Sequence, residues 1–182
     1  MSKLAIVING QPSVGKDTIC DIIMNKYNAM KVSAIDPIVE IALKYGWDGV
    51  KNNKSRKFLS DLKRAFIDFN DMPNRYLLEK YKGFIAGDYD ILFLHIREID
   101  QIESFKKSID SGKCITLLIQ KDTDNLHPAS FGNYSDDNTN NYSYDYYYVN
   151  NGSLDNLENS FLLFFREILK NEKMEDIKRK EE

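Results

Sequence analysis

The residues best suited to chemistry are Gly10-Gln11-Pro12-Ser13-Val14-Gly15-Lys16-Asp17-Thr18. They satisfy the pattern G-x-x-x-x-G-K, in which glycines let successive main-chain N–H groups turn toward one point and a lysine adds positive charge there. What such an arrangement holds is phosphate, and here the expected ligand is a nucleoside triphosphate. Gly10, Ser13, Val14 and Gly15 would lend amides, Lys16 would sit between the β- and γ-phosphates, and a following helix would add its positive dipole end. The pattern normally continues with Ser or Thr, whose hydroxyl reaches Mg²⁺; here Asp17 takes that place and Thr18 comes one residue late. Asp17 is therefore the candidate metal ligand, directly or through water, and Thr18 a candidate contact to the α-phosphate. The alternative is a glycine turn with a surface lysine, and the flanking elements argue against it.

A phosphate loop works only between a strand and a helix. Leu4 to Ile8 is a short apolar run that reads as a buried, central strand of a parallel sheet, and Thr18, Ile19, Ile22, Ile23 and Lys26 follow at helical spacing. Met30 to Ser33 reads as a second strand, then Pro37 suits the first turn of a helix capped by Asp36 and stopped at Gly46. A polar turn over 47–54 leads to a helix from Ser55 to Phe69; Asn70, Asp71 and Pro73 break it, and another helix runs from Asn74 to Tyr81. Ile91 to Ile96 and Cys114 to Ile119 read as buried strands flanking an amphipathic helix from Ile99 to Ile109. Residues 121–143, rich in Asp, Asn, Ser and Tyr, are too long for an ordinary connection and read as a lid-like loop or as compositional bias. Tyr144 to Val149 is the last strand, with one exposed face and no chemistry assigned to its tyrosines, and Ser153 caps a final apolar helix. From Lys170 the chain is almost wholly charged, which predicts a fraying, solvated end. Five strands alternating with helices specify a three-layer α/β domain with a mainly parallel sheet, whose ligand sits at the carboxyl ends of the strands.

Composition narrows the partners. The 182 residues carry a net charge of -3, and the arginines are scattered, so no basic face asks for nucleic acid. No apolar run approaches the roughly 20 residues of a membrane span, and no leader peptide is visible, which predicts a soluble, cytoplasmic protein. Cys20 and Cys114 lack metal-ligand spacing and read as small buried residues of a reducing compartment.

The loop, with Pro12 and Thr18, resembles that of adenylate-kinase-like P-loop kinases. Its Gly-Lys-Asp-Thr ending is similar to the phage and bacterial deoxynucleoside monophosphate kinases. Ala34-Ile35-Asp36-Pro37 resembles the family's start of the monophosphate-binding helix, Ser55-Arg56-Lys57-Phe58-Leu59 its arginine-bearing helix facing the acceptor, and Asn150-Asn151-Gly152-Ser153-Leu154 its turn against the ATP base. The resemblance implies an adenylate-kinase-like P-loop NTPase fold over residues 1–172, with a helical acceptor-side insertion at 34–88 and a charged tail at 173–182. It implies base contacts from Asn151 and Gly152, an acceptor contact from Arg56, and an approach of Arg97 to the transferring phosphates. His95 departs from the family, standing where an acidic metal-orienting residue is expected; it would bond a phosphate or metal-bound water, or be a satisfied, partly buried histidine. The 121–143 segment departs too, having no arginine, with Lys121 only at its root; Arg64 and Arg75 are weaker substitutes, and His127 reads as a surface residue.

These readings predict a kinase using ATP and Mg²⁺ on a small phosphorylated acceptor, as a monomer or homodimer, with Lys16, Arg97 and Asp36 as its catalytic candidates. Asp36 would cap its helix or orient a phosphate-bearing acceptor; against an alcohol it would act as general base. The rivals are a kinase of a non-nucleotide metabolite and a nucleotide-binding protein that has lost catalysis.

Overall fold

The computed structural model describes residues 2–109, 113–121, 139–151 and 154–180. Strand β1 (Leu4–Asn9) is buried along its whole length and runs into the glycine loop, after which α1 (Lys16–Lys26) begins. Then come β2 (Ala29–Ser33), α2 (Asp36–Lys44), α3 (Asn53–Asn70), α4 (Met72–Ala86) and β3 (Ile91–His95). Helix α5 (Ile99–Ser108), β4 (Lys113–Lys121), β5 (Tyr146–Asn150) and α6 (Leu154–Asn171) complete the order. The sheet is five-stranded, in the order β2-β3-β1-β4-β5. Every pairing is parallel, so all strands deliver their carboxyl ends to one edge. This is an α/β fold with an all-parallel five-stranded sheet flanked by helices, β1 central as its apolar run predicts.

Parallel sheets need cover on both faces, and alternate residues of β1 supply it. Leu4, Ile6 and Ile8 face a core with Ile19 and Ile23 of α1 and Phe161 and Phe165 of α6. Ala5 and Val7 face the other core, with Leu77, Tyr81 and Phe84 of α4 and Phe105 of α5. Each large apolar side chain so buried contributes about 1.5–3 kcal/mol, which holds the strand before the loop in one register. Helices α2 and α3 add a thinner cluster, with Ile38, Ala42 and Leu59 buried and Trp47, Leu62 and Phe66 partly so.

Several local expectations are corrected. Asp36 does not cap α2: Ile35 is the N-cap, and the Asp36 carboxylate accepts the Ser33 N–H at 2.8 Å. Helix α3 starts earlier than Ser55, because Asn52 caps it by accepting the Ser55 N–H while Ser55 Oγ accepts the Asn52 N–H, a reciprocal capping box. The break between α3 and α4 is Asp71 alone, in the left-handed region at φ 52; Pro73 sits in the first turn of α4, where its missing N–H costs nothing. The charged tail is not a solvated fray. After α6 the chain turns back, Ile177 is buried with Met174 packed beside it, and Arg179 bridges to Tyr27. Lys180 then donates its N–H to the carbonyl of Lys26 at 2.8 Å. Cys20 is buried as expected and Cys114 partly so. Among the described residues, no helix is long and apolar enough to cross a membrane.

Candidate phosphate site

The loop's conformation is one that glycine alone tolerates at two points. Gly10 has φ 143, and a Cβ there would lie 2.3 Å from the carbonyl oxygen of Ile119, main chain that cannot yield. Gly15, at φ 101, is the N-cap of α1 and brings no side chain to its end, so the first-turn amides are left for a ligand. Ser13 also has positive φ, at 64, a strained position in a loop fixed on both sides. Lys16 is buried and curls over this loop, its Nζ donating to the carbonyls of Gly10 at 2.6 Å and Gln11 at 2.7 Å. The ammonium therefore stands at the loop's own main chain, not out in bulk water.

A network not foreseen in the sequence holds the loop from beneath. Asn9 is fully buried at the end of β1, and its Oδ1 accepts the Gly10 N–H at 2.8 Å. Its Nδ2 donates to the Arg97 carbonyl at 3.1 Å and to Tyr144 Oη at 2.9 Å, and Tyr144 in turn donates to the Thr139 carbonyl at 2.9 Å. A polar residue closing an otherwise apolar buried run was the available signal, since a buried amide must find partners. On the β5 side, Asn150 Nδ2 donates to the Val14 carbonyl at 2.8 Å, while its buried Oδ1 has no hydrogen-bond partner among the described residues.

Arg97 follows Ile96 just beyond β3, the direct neighbour of β1, so it stands at the same edge as the loop. His95 is brought there too, and its Nε2 lies 3.5 Å from Cys20 Sγ. Burial lowers the His95 pKa to about 4, Lys16, Lys31 and Arg97 add to that effect, and Asp17 works against it. His95 is thus neutral near neutral pH, and burial pushes the Cys20 thiol up, so their contact joins two uncharged groups. Asp17 is exposed on the first turn of α1, with the Lys31 ammonium 4.0 Å away. Thr18 is exposed beside it. Among the described residues no three His, Cys, Asp or Glu side chains gather. A single hard carboxylate still fits Mg²⁺, which usually takes one or two carboxylates together with substrate phosphates.

The acceptor-side candidates are more scattered. Asp36 is half-buried at the start of α2; burial raises its pKa, Glu40 adds to that, and the Ser33 amide, Lys80 and Lys51 oppose it. Arg56 is exposed on α3, Arg75 is exposed on α4, and Arg64 is paired with Asp68 at 3.0 Å on the α3 surface. Asn151 is exposed directly after β5; Gly152, His127 and positions 122–138 of the lid-like segment lie outside the described residues. An open groove of about 620 Å³ between α4 and the starts of β2 and β3, lined by Met30, Lys80, Phe84 and Tyr89, lies at the amino ends of the strands. It is therefore remote from the loop and its chemistry.

Neither a family model nor a curated protein matches the sequence. Among solved structures, the chain is similar to an unliganded sugar kinase from Janibacter sp. HTCC2649, with a TM-score of 0.48 and 13% identity over 91% of this chain and 95% of that one. That likeness is in the path of the backbone and carries nothing about substrate.

Proposed function

We propose that the protein is a P-loop kinase that moves the γ-phosphoryl group of ATP to a small phosphate-bearing acceptor, a nucleoside or deoxynucleoside monophosphate. The observation that carries the reading is the loop itself, with Gly10 and Gly15 in conformations closed to other residues and Lys16 folded over it. Phosphoryl transfer is mostly positioning and charge neutralisation. On this reading the loop amides and the amino end of α1 hold the β- and γ-phosphates, and Lys16 exchanges its two carbonyl partners for phosphate oxygens. Arg97, whose carbonyl accepts from Asn9 Nδ2, neutralises charge on the transferring group. Asp17 would hold Mg²⁺, which would offset the negative charge of the phosphates. The monophosphate acceptor is supported by the ordered resemblances at Asp36, Arg56 and the 150–154 turn. Coupled ADP-release assays over a panel of monophosphates test it, and no acceptor-stimulated release across the panel would remove the nucleotide acceptor.

One observation favours a second reading. Asp36 is free of the capping role and carries a half-buried carboxylate whose raised pKa makes it a better proton acceptor. That suits a hydroxyl acceptor, hence a kinase of a non-nucleotide metabolite with Asp36 as general base. Screening hydroxylated metabolites with wild type and Asp36→Asn separates the two. ATP raising the melting temperature without turnover on any acceptor would instead indicate a binding protein that has lost catalysis.

A further inference from the structure

Lys63 of α3 and Glu98, the residue after Arg97, form an ion pair at 2.5 Å with each side chain only 8% exposed. Withdrawing two charges from water costs several kcal/mol per ion, and well-packed apolar residues of similar volume often serve stability equally well or better. Stability alone therefore gives no reason for charge at this place. Geometry does. Glu98 is the N-cap position of α5, yet its side chain makes no capping bond and reaches Lys63 instead. The preceding carbonyl, that of Arg97, is held by Asn9, which also holds the Gly10 N–H. A continuous path of short polar contacts and main chain thus runs from the first glycine of the loop, through Asn9 and the Arg97–Glu98 corner, to α3. Helix α3 carries Leu59 against Ile38 and Ala42, and Trp47 packs on that cluster.

We propose that the Lys63–Glu98 pair is a positioning link that ties the acceptor-side helices to the Arg97 corner, so that filling the phosphate loop reseats α3 before transfer. It rests on the reading that the loop binds a nucleoside triphosphate. Phosphate drawing the Arg97 guanidinium inward moves the adjoining Glu98, and the buried pair passes that movement to Lys63. A ligand shifts such an equilibrium only by its differential affinity for the two arrangements, so cutting the link must separate binding from the response of α3.

The chain's single tryptophan, Trp47, supplies a readout that needs no turnover. In the wild type, a non-hydrolysable ATP analogue should give calorimetric heat and a saturable change in Trp47 emission with the same Kd. In Lys63→Met/Glu98→Leu, the Kd should stay within about threefold and the emission change should fall at least fivefold. Glu98→Gln, which keeps the shape and a neutral hydrogen bond, should retain an intermediate response even if the double variant does not fold. Heat without an emission change in the wild type, or a full response in Glu98→Gln or in the double variant, overturns the inference alone. Absence of heat in the wild type overturns the nucleotide reading and the inference with it.

Discussion

The glycine loop and helices α2 to α4 are built on opposite terms. The loop owes its shape to main chain: glycines at positive φ, a buried asparagine bonded three ways, and a strand buried on both faces. Between α2 and α3, the apolar cluster among the described residues buries Ile38, Ala42 and Leu59, and Arg56, Arg64 and Arg75 are exposed. A site encoded in the backbone is set before any ligand arrives. One encoded in side chains on a thin layer depends on how that layer seats, so on the proposed reading phosphate capture would be preorganised while acceptor choice would rest on the seating of that layer.

That contrast can be broken most severely at Gly10. In Gly10→Ala the new methyl group meets the Ile119 carbonyl, so nucleotide heat should vanish in calorimetry while circular dichroism still shows a folded α/β protein. Next comes Asp36→Asn, measured as kcat at saturating ATP: a fall of about 10²–10⁴-fold assigns a hydroxyl acceptor, and a fall under about tenfold assigns a phosphate acceptor. Lys16→Met removes a charged donor without filling the loop, and should weaken ATP about 10- to 100-fold, in line with the worth of charge-assisted bonds.

A smaller effect sharpens the loop side of the comparison through pH. The folded pKa of His95 lies below the ordinary histidine value, so the unfolded chain binds more protons as acid is added. Its contribution to stability is fully present above pH 6.5 and is lost as pH falls toward about 4, amounting to about 3 kcal/mol. Urea melts of wild type and His95→Gln over that range should converge at low pH, the variant showing the shallower loss. The smallest effect belongs to Arg56→Ala, which should change stability by less than about 0.5 kcal/mol. Its influence on the acceptor KM then measures whether an exposed arginine swings in during turnover.

Where a residue's role follows from its neighbours in sequence, it was legible in advance. The strand, loop and helix at 4–26 fell within two residues of their places, because hydrophobic period and glycine pattern are local signals. Pro37 was placed in the first turn of α2 for the same reason. The partners of Asn9, Lys63 and Glu98 are distant in the chain, and no local rule names them. Lys63 nevertheless stands one turn after Leu59 on the buried face of α3, and a lysine on such a face must have a counter-charge somewhere. The tail misled through composition: Met174 and Ile177 are two apolar residues in a charged run, too few to give a period, yet they suffice when α6 presents a surface to them.

That tail gives α1 an unusual exposure to outside force. Lys180 binds the carbonyl of Lys26, its Nζ reaches the Met24 carbonyl at 2.7 Å, and the Arg179 guanidinium lies 5.9 Å from the centre of the Tyr27 ring. The helix is a rod about 16 Å long with the phosphate loop at its other end. A tether fixed at Lys180 would pull first on the base of that rod, making the carboxyl-terminal segment a handle for asking whether tension at one end loosens an anion's grip at the other.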